Sequence, residues 1–361
     1  MTLPTDHPWH AAGTADSRLV RAMQARAVDR PPVWFMRQAG RSLPEYRTAR
    51  EGIAMLDACL TADLAAEITC QPVRRHGVDA AIFFSDIVVP IKCAGVDVEI
   101  KPGVGPVVAQ PIRTAADVQR VPAPAPDMFD AVAAGVRATI AQLGQTPVIG
   151  FAGAPFTVAS YLIEGGPSRD LPRTKAMMLR DPETFSALLS RLAELAAEFL
   201  RTQILAGASA IQLFDSWVGN IPARLYRTHV LPHSRRVFKS VADLGVPSIH
   251  FAVGANHLAR DMASAGNDVQ GVDFRIDLEE VDPQLRDTFP LQGNLDPAVL
   301  LSDRQTIEAE VQRVLAGGRG LPGHVFNLGH GVLPDTDPDL ITFAVEAVDR
   351  YGKPFEGRPA R

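Results

Sequence analysis

Short apolar runs alternate along this chain with longer stretches whose apolar residues recur at helical spacing. The runs fall at residues 33–36, 80–84, 147–151, 210–214, 246–253, 271–275, 290–294 and 324–330, and each ends where glycine or polar residues return the chain to water. Helical patterning occupies 61–76, 127–143, 173–179, 182–206, 222–244, 256–265, 278–285, 297–315 and 338–350. His76-Gly77 reads as a helix stop and Asp296-Pro297 as a helix start. Residues 96–108 alternate apolar and polar around Pro102-Gly103 and Gly105-Pro106, the pattern of a hairpin inserted after the second strand. Residues 152–161 read as a loop that carries Tyr161.

Eight strand-helix units predict an α/β fold, a single (β/α)8 TIM barrel with an extra N-terminal helix; a doubly wound open sheet is the alternative. The barrel should span 31–353, flanked by an N-terminal extension, 1–30, and a C-terminal tail, 354–361. Ser17 can cap the extra helix, expected over 17–27.

Composition narrows the class. A chain of 361 residues, 46% hydrophobic and 21% charged, has the make-up of a globular enzyme. Its first 25 residues hold no continuous apolar segment, so the expectation is a cytoplasmic protein without signal peptide or membrane span. Cys59, Cys70 and Cys93 are widely spaced, which suits reduced thiols better than disulfides or zinc. A net charge of -5 argues against a nucleic-acid surface, so any anionic ligand must be met locally. Only five of the 36 basic residues are lysine, so a lone arginine is weak evidence for a site.

In a barrel the loops after the strands converge on one face, and active sites lie there. Those positions carry Arg37 and Arg41, Asp86, Tyr161, Asp215 and Ser216, His250, Asp273 and Arg275, Asn294 and Asp296, and His330. Two guanidiniums around Gly40 offer planar forks for carboxylates or phosphates, although a surface arginine pair would look the same. Each of the others reads equally well as a cap or turn residue. No GxSxG elbow, Walker loop, HExxH or strand-linked GxGxxG is present, and the glycine-rich 316–323 reads as a turn.

The segments RQAGRSLPEYR (37–47), FFSDI (83–87), GFAGAPFTVASYLIEGG (150–166), FDSWVG (214–219), QGNLDP (292–297) and FNLGHGVLP (326–334) together resemble the uroporphyrinogen decarboxylase family. The resemblance runs from about residue 30 to 351, with the motifs in order. It implies one (β/α)8 domain, a homodimer, no metal or organic cofactor, and removal of the four acetate carboxyls of uroporphyrinogen III to give coproporphyrinogen III. The catalytic residues it implies are Asp86, Arg37 and Tyr161. Substrate contacts are implied for Arg37, Gln38, Ala39, Gly40, Arg41, Asp86, Tyr161, Ser216 and His330, with backbone or loop contacts from 38–40. Asp86 would accept hydrogen bonds from the pyrrole N–H groups and stabilise the cation formed when a pyrrole carbon is protonated. Phe151, Phe156 and Phe214 read as packing or cleft wall.

Two other functions fit parts of the pattern. Methyltransferases of the same superfamily use zinc held by a His-x-Cys pair and a later cysteine, but the comparable place here is His250-Phe251-Ala252 and no cysteine follows Cys93. His250 therefore reads as a satisfied core histidine. A non-catalytic tetrapyrrole carrier would use the arginines and aromatics, but would have no need of Asp86.

Overall fold

The computed structural model describes residues 2–357. Seven strands form one parallel sheet in sequence order: Ala81–Ile82, Val148–Gly153, Ala210–Phe214, Ser248–Phe251, Val269–Gly271, Leu291–Gln292 and His324–Val325. Sequential order excludes the doubly wound alternative, whose strand order reverses partway. The stave at Val33 closes the ring. Val33 bridges Phe326 in parallel, the Phe326 N–H donates to Pro32 (2.8 Å), and the Asp79 N–H donates to the Val33 carbonyl (2.8 Å).

That first stave is a single bridge because side-chain amides replace strand partners beside it. The Phe35 N–H donates to Gln38 Oε1 (2.8 Å) and the Met36 N–H to Asn327 Oδ1 (3.1 Å). The sixth strand lies at Val269–Gly271, two residues before the expected run at 271–275. Asp273 is drawn out of the ladder, since its carboxylate accepts from the main-chain N–H groups of Gly254 and Arg275 and from Asn256 Nδ2. Phe151 is in register with Gln212 on one side, but the short second strand ends before it and leaves its N–H and carbonyl without ladder partners on the other. Gln203 from the outer helix Pro182–Leu205 supplies both, taking the Phe151 N–H on Oε1 and donating from Nε2 to its carbonyl, both at 3.0 Å.

Helices cover the outside. Pro182–Leu205 starts at Asp181, which accepts from the Thr184 N–H (3.1 Å), and buries Phe185, Leu188, Leu192, Leu195 and Phe199 along one stripe. Helix Ala62–His76 stops at Gly77, whose φ of 68° is the left-handed conformation that glycine adopts without a Cβ clash. The helix expected over 222–244 is broken into Ala223–Leu225, a π segment Tyr226–Val230 and Leu231–Val241, because Pro232 cannot donate to the preceding turn. The expected loop 152–161 is mostly helix, Pro155–Glu164, entered through a proline at its first turn and ended by Gly165 at φ 90°. Strands Val98–Lys101 and Gly105–Val108 form the inserted antiparallel hairpin.

The N-terminal helix, Arg18–Met23, is shorter than expected. Its cap is Ser17, which accepts from the Val20 N–H (3.4 Å), and Ala25 turns the chain at φ 54° into a strand, Arg26–Val28. That strand pairs antiparallel with Phe355–Gly357, so part of the expected C-terminal tail is strand; residues 358–361 lie outside the described residues. Leu19, Ala22 and Met23 plug the bottom of the barrel beneath Trp34, Ile149 and Val325.

Candidate active site

The mouth begins where the first stave ends. Arg37 has φ 61°, unusual for a residue with a side chain, and is exposed at the rim. A Cβ on Gly40 would lie 2.9 Å from the Arg37 carbonyl oxygen, so only glycine lets the loop fold back this tightly. Gln38 is fully buried and spends both ends of its amide inside the protein, accepting from Phe35 and donating to the Ala80 carbonyl (2.9 Å). Its main-chain N–H also donates to the Phe35 carbonyl (3.0 Å), so Gln38 is committed to holding the loop. Ala39 and Gly40 are half-buried and Arg41 is exposed. The two guanidiniums act on different groups: the charge of Arg37 acts on Asp86, whereas that of Arg41 acts on Tyr46.

Asp86 stands just beyond the second strand, and its Oδ1 accepts from the Val88 N–H (3.0 Å). Burial raises its carboxyl above the ordinary carboxylate range, while the Val88 N–H and the Arg37 guanidinium pull it down. Tyr161 projects from helix Pro155–Glu164. Burial and the Asp86 charge raise its phenol, which therefore stays protonated at neutral pH as a hydrogen-bond donor. Its ring packs edge-on against Trp217, with centroids 5.8 Å apart.

His330 closes the circle. Its Nδ1 accepts from the Gly331 N–H (2.7 Å), so the neutral ring carries its proton on Nε2. Burial lowers its pKa, and Arg37 and Arg275 lower it further. The charges of Arg37, Asp86 and Arg275 thus act within one small volume, together with the donors of Tyr161 and His330. Arg275 is held by Asp273 (2.7 Å) and lies over the Phe274 ring, 4.5 Å from its centroid. Below the polar rim, Phe214 is half-buried and packs edge-on against Phe151 (5.4 Å) and Phe251 (6.1 Å), which gives the mouth an aromatic floor. Phe156 lies elsewhere, fully buried against Phe185.

Several strand-end residues are committed to structure. Asp296 caps the turn Pro297–Leu301 by accepting from the Ala298 N–H (2.9 Å). Asn294 donates to the carbonyls of Asp273 (2.9 Å) and Ile276 (2.5 Å). His250 departs from the satisfied core histidine expected of it: it is fully buried, yet its Nε2 has no hydrogen-bond partner and faces Asp215 Oδ2 at 3.7 Å. Among the described residues no group of three or more His, Cys, Asp or Glu side chains is placed to hold a metal ion. Trp217, Thr157 and Gly331 were absent from the residues that the sequence singled out. Trp217 and Thr157 lie inside the motifs FDSWVG and GFAGAPFTVASYLIEGG, but an apolar ring and a threonine in a supposed loop gave no chemical signal.

A family model described as "Uroporphyrinogen decarboxylase (URO-D)" matches residues 14–351. Among curated relatives, the uroporphyrinogen decarboxylase of Saccharopolyspora erythraea is 57% identical over 344 residues, covering 92% of this chain and 95% of that protein. That of Streptomyces coelicolor is 56% identical, covering 93% and 94%. Among solved structures, a methyltransferase from Methanosarcina mazei superposes with a TM-score of 0.77 at 18% identity, over 92% of this chain and 98% of that one, a likeness of fold alone.

Proposed function

The chain belongs to the uroporphyrinogen decarboxylase family, and from that premise we propose how its mouth residues perform the reaction. The enzyme is a carboxy-lyase that removes the four acetate carboxyls of uroporphyrinogen III, giving coproporphyrinogen III and four CO2. The substrate is a reduced tetrapyrrole with eight carboxylates, so a chain of net charge -5 needs fixed cations at one place. Arg37, set beside Asp86, supplies that charge, and Arg41 extends it along the rim.

The observation that carries the assignment is the Asp86 carboxylate, held by the Val88 N–H within the field of the Arg37 guanidinium and beside the Tyr161 phenol. Asp86 accepts from the pyrrole N–H groups of the macrocycle. When a ring carbon beside the acetate-bearing carbon is protonated, the ring becomes cationic, and the Asp86 charge stabilises it. The bond from the acetate methylene to its carboxylate then breaks, CO2 leaves, and the electron pair forms an exocyclic double bond that neutralises the ring. Protonation of that methylene gives the methyl group, and loss of the added ring proton restores the pyrrole. Each cycle consumes one proton and releases one CO2, with the substrate as its own electron sink. Tyr161 and His330 donate from the phenol and from Nε2 to carboxylates, Ser216 beside Trp217 contacts the substrate, and the half-buried Ala39 and Gly40, held in place by the buried Gln38, complete the rim. The reading includes a homodimer, which sedimentation analysis of the purified protein tests directly.

The experiment is incubation of the purified, metal-stripped protein with uroporphyrinogen III under anaerobic, reducing conditions, followed by oxidation and separation of the porphyrins. The expected result is successive hepta-, hexa-, penta- and tetracarboxylate products. Absence of these products overturns the reading; activity lost on stripping zinc and restored by it favours a methyltransferase-like site.

A further inference from the structure

Behind the mouth lies a buried polar chain that the reaction described above does not use. Asp215, fully buried at the end of strand Ala210–Phe214, accepts on Oδ1 from the Thr157 hydroxyl (2.8 Å). That hydroxyl has one proton, so its oxygen is left to accept, and it takes the Trp217 N–H (3.2 Å). Asp215 is itself fixed by its N–H on the Phe251 carbonyl (2.8 Å). The residue between the two tethered positions is Ser216, and the Trp217 ring is the surface on which Tyr161 packs edge-on. Thr157 and Tyr161 are four residues apart on one helix and so share a face.

Asp215 Oδ2 and His250 Nε2 face each other at 3.7 Å, and neither has a hydrogen-bond partner among the described residues. The Thr157 hydroxyl is therefore the hydrogen-bond donor that this carboxylate has among them. A carboxylate buried this completely is costly, and its one hydrogen bond goes to a hydroxyl that ties two helix-borne and loop-borne elements together. A role confined to stability would be served as well by apolar residues of the same size.

We propose that Thr157 and Asp215 are positioning residues for the decarboxylation: the Asp215 carboxylate, through the Thr157 hydroxyl, holds Trp217 and thereby sets Ser216 and Tyr161 against the substrate. This rests on the decarboxylase reading for the roles of Ser216 and Tyr161, whereas the tether itself does not. Each link is one hydrogen bond or one ring contact: Asp215 to Thr157, Thr157 to Trp217, and Trp217 to Tyr161. A misplacement of about 1 Å in groups that orient a substrate can cost roughly a hundredfold in rate.

The test uses Thr157→Val, nearly isosteric but without the hydroxyl, with Thr157→Ser and Thr157→Ala beside it. Two quantities are read: kcat/KM with uroporphyrinogen III, and hydrogen exchange of the main chain over 214–220. Expected are a drop in kcat/KM of at least tenfold in Thr157→Val, recovery to within threefold of wild type in Thr157→Ser, and faster exchange of the Trp217 N–H in Thr157→Val alone of those two. In a Tyr161→Phe background the Thr157→Val effect should shrink below threefold, a coupling that general loosening would not produce. Thr157→Ala takes the place of Thr157→Val if the valine variant does not fold. Unchanged exchange overturns the tether. Faster exchange with unchanged kcat/KM, or an effect undiminished by Tyr161→Phe, overturns the positioning role. An inactive wild type overturns the decarboxylase reading instead and leaves the exchange arm to decide the tether.

Discussion

Gly331 packs directly on Arg37: a Cβ at position 331 would lie 2.4 Å from Arg37 Cδ and 2.7 Å from its Cγ. The loop after the eighth strand therefore aims the arginine that follows the first, and the same loop presents His330. Gly331→Ala should displace the Arg37 side chain without touching the substrate, lowering kcat/KM about tenfold or more, with Arg37→Ala at least as damaging. Arg319→Ala, an exposed arginine in the turn before the eighth strand and so at the opposite end of the barrel, should stay within twofold of wild type. Arg50 is a poorer control, since its guanidinium lies 5.5 Å over the Tyr46 ring. Steady-state kinetics on the purified variants decide this; equal losses for Arg37→Ala and Arg319→Ala would remove Arg37 from the site.

Asp86 should trade stability for function. Asp86→Asn keeps an acceptor for the Val88 N–H but removes the charge, so turnover should fall by roughly a hundredfold or more. Because burial raises the Asp86 pKa in the folded protein, the ionised form costs stability above that pKa, and the cost vanishes as the group is protonated at lower pH. Asp86→Asn should therefore melt at or above the wild-type temperature near pH 7, with the difference closing as pH falls. Wild-type activity should fall along the same acid limb. A variant that is less stable than wild type at neutral pH, or fully active, would refute the assignment of a buried functional charge.

The barrel was legible because its signals were redundant: eight apolar runs, each followed by helical patterning, survive errors of two or three residues at any one of them. Two of the departures share a cause. At Val33 and at Asp273, side chains capture main-chain donors that a periodicity reading assigns to the ladder, so the first strand shrinks to a bridge and the sixth moves forward. The stretch 152–161, expected as a loop, is helix from Pro155 onward, because a proline in the first turn lacks only an N–H that a helix start leaves unpaired anyway. Site residues with charge were legible as strand-end polar groups. Those that act by shape were not: Gly331 and Trp217 matter through the atoms across from them, which lie hundreds or tens of residues away in the chain.

Acid should destabilise the protein well before its carboxylates titrate. Burial is the largest cause that lowers His76, His233 and His324 from 6.5 to about 4 each. An unfolded chain takes up these protons first as pH falls below 6.5, so the stability the neutral rings contribute is fully present above that value and is lost toward pH 4. The limit is about 3 kcal/mol per histidine, from roughly 1.4 kcal/mol per pKa unit. Unfolding free energies in urea at pH 7.5, 6.5, 5.5 and 5.0 should decline steeply below 6.5, and His76→Gln should lessen the slope by about one proton. A flat profile to pH 5 would show that these rings are not held neutral.

The ring of staves should depend on Asp79. Its carboxylate, 9% exposed, accepts from the Val33 N–H (2.7 Å) and pairs with Arg30 (2.7 Å) and with Arg18, while its own N–H donates to the Val33 carbonyl. One side chain thus ties the first stave to the approach of the second and anchors the N-terminal helix at the bottom of the barrel. Asp79→Ala leaves the Val33 N–H without an acceptor and two buried or half-buried guanidiniums short of a carboxylate, although Arg18 keeps Asp29 and Arg30 keeps Asp349. Removing one partner from a buried charge pair costs about 3–5 kcal/mol, and the two remaining pairs should hold the loss to the lower end. Asp79 precedes the second strand whereas Asp86 follows it, and the partners of its carboxylate are Arg18, Arg30 and Val33, so kcat and KM at 25 °C should stay within threefold of wild type while the urea midpoint drops. Lost activity with an unchanged midpoint would show that the closure of the ring does not rest on this residue.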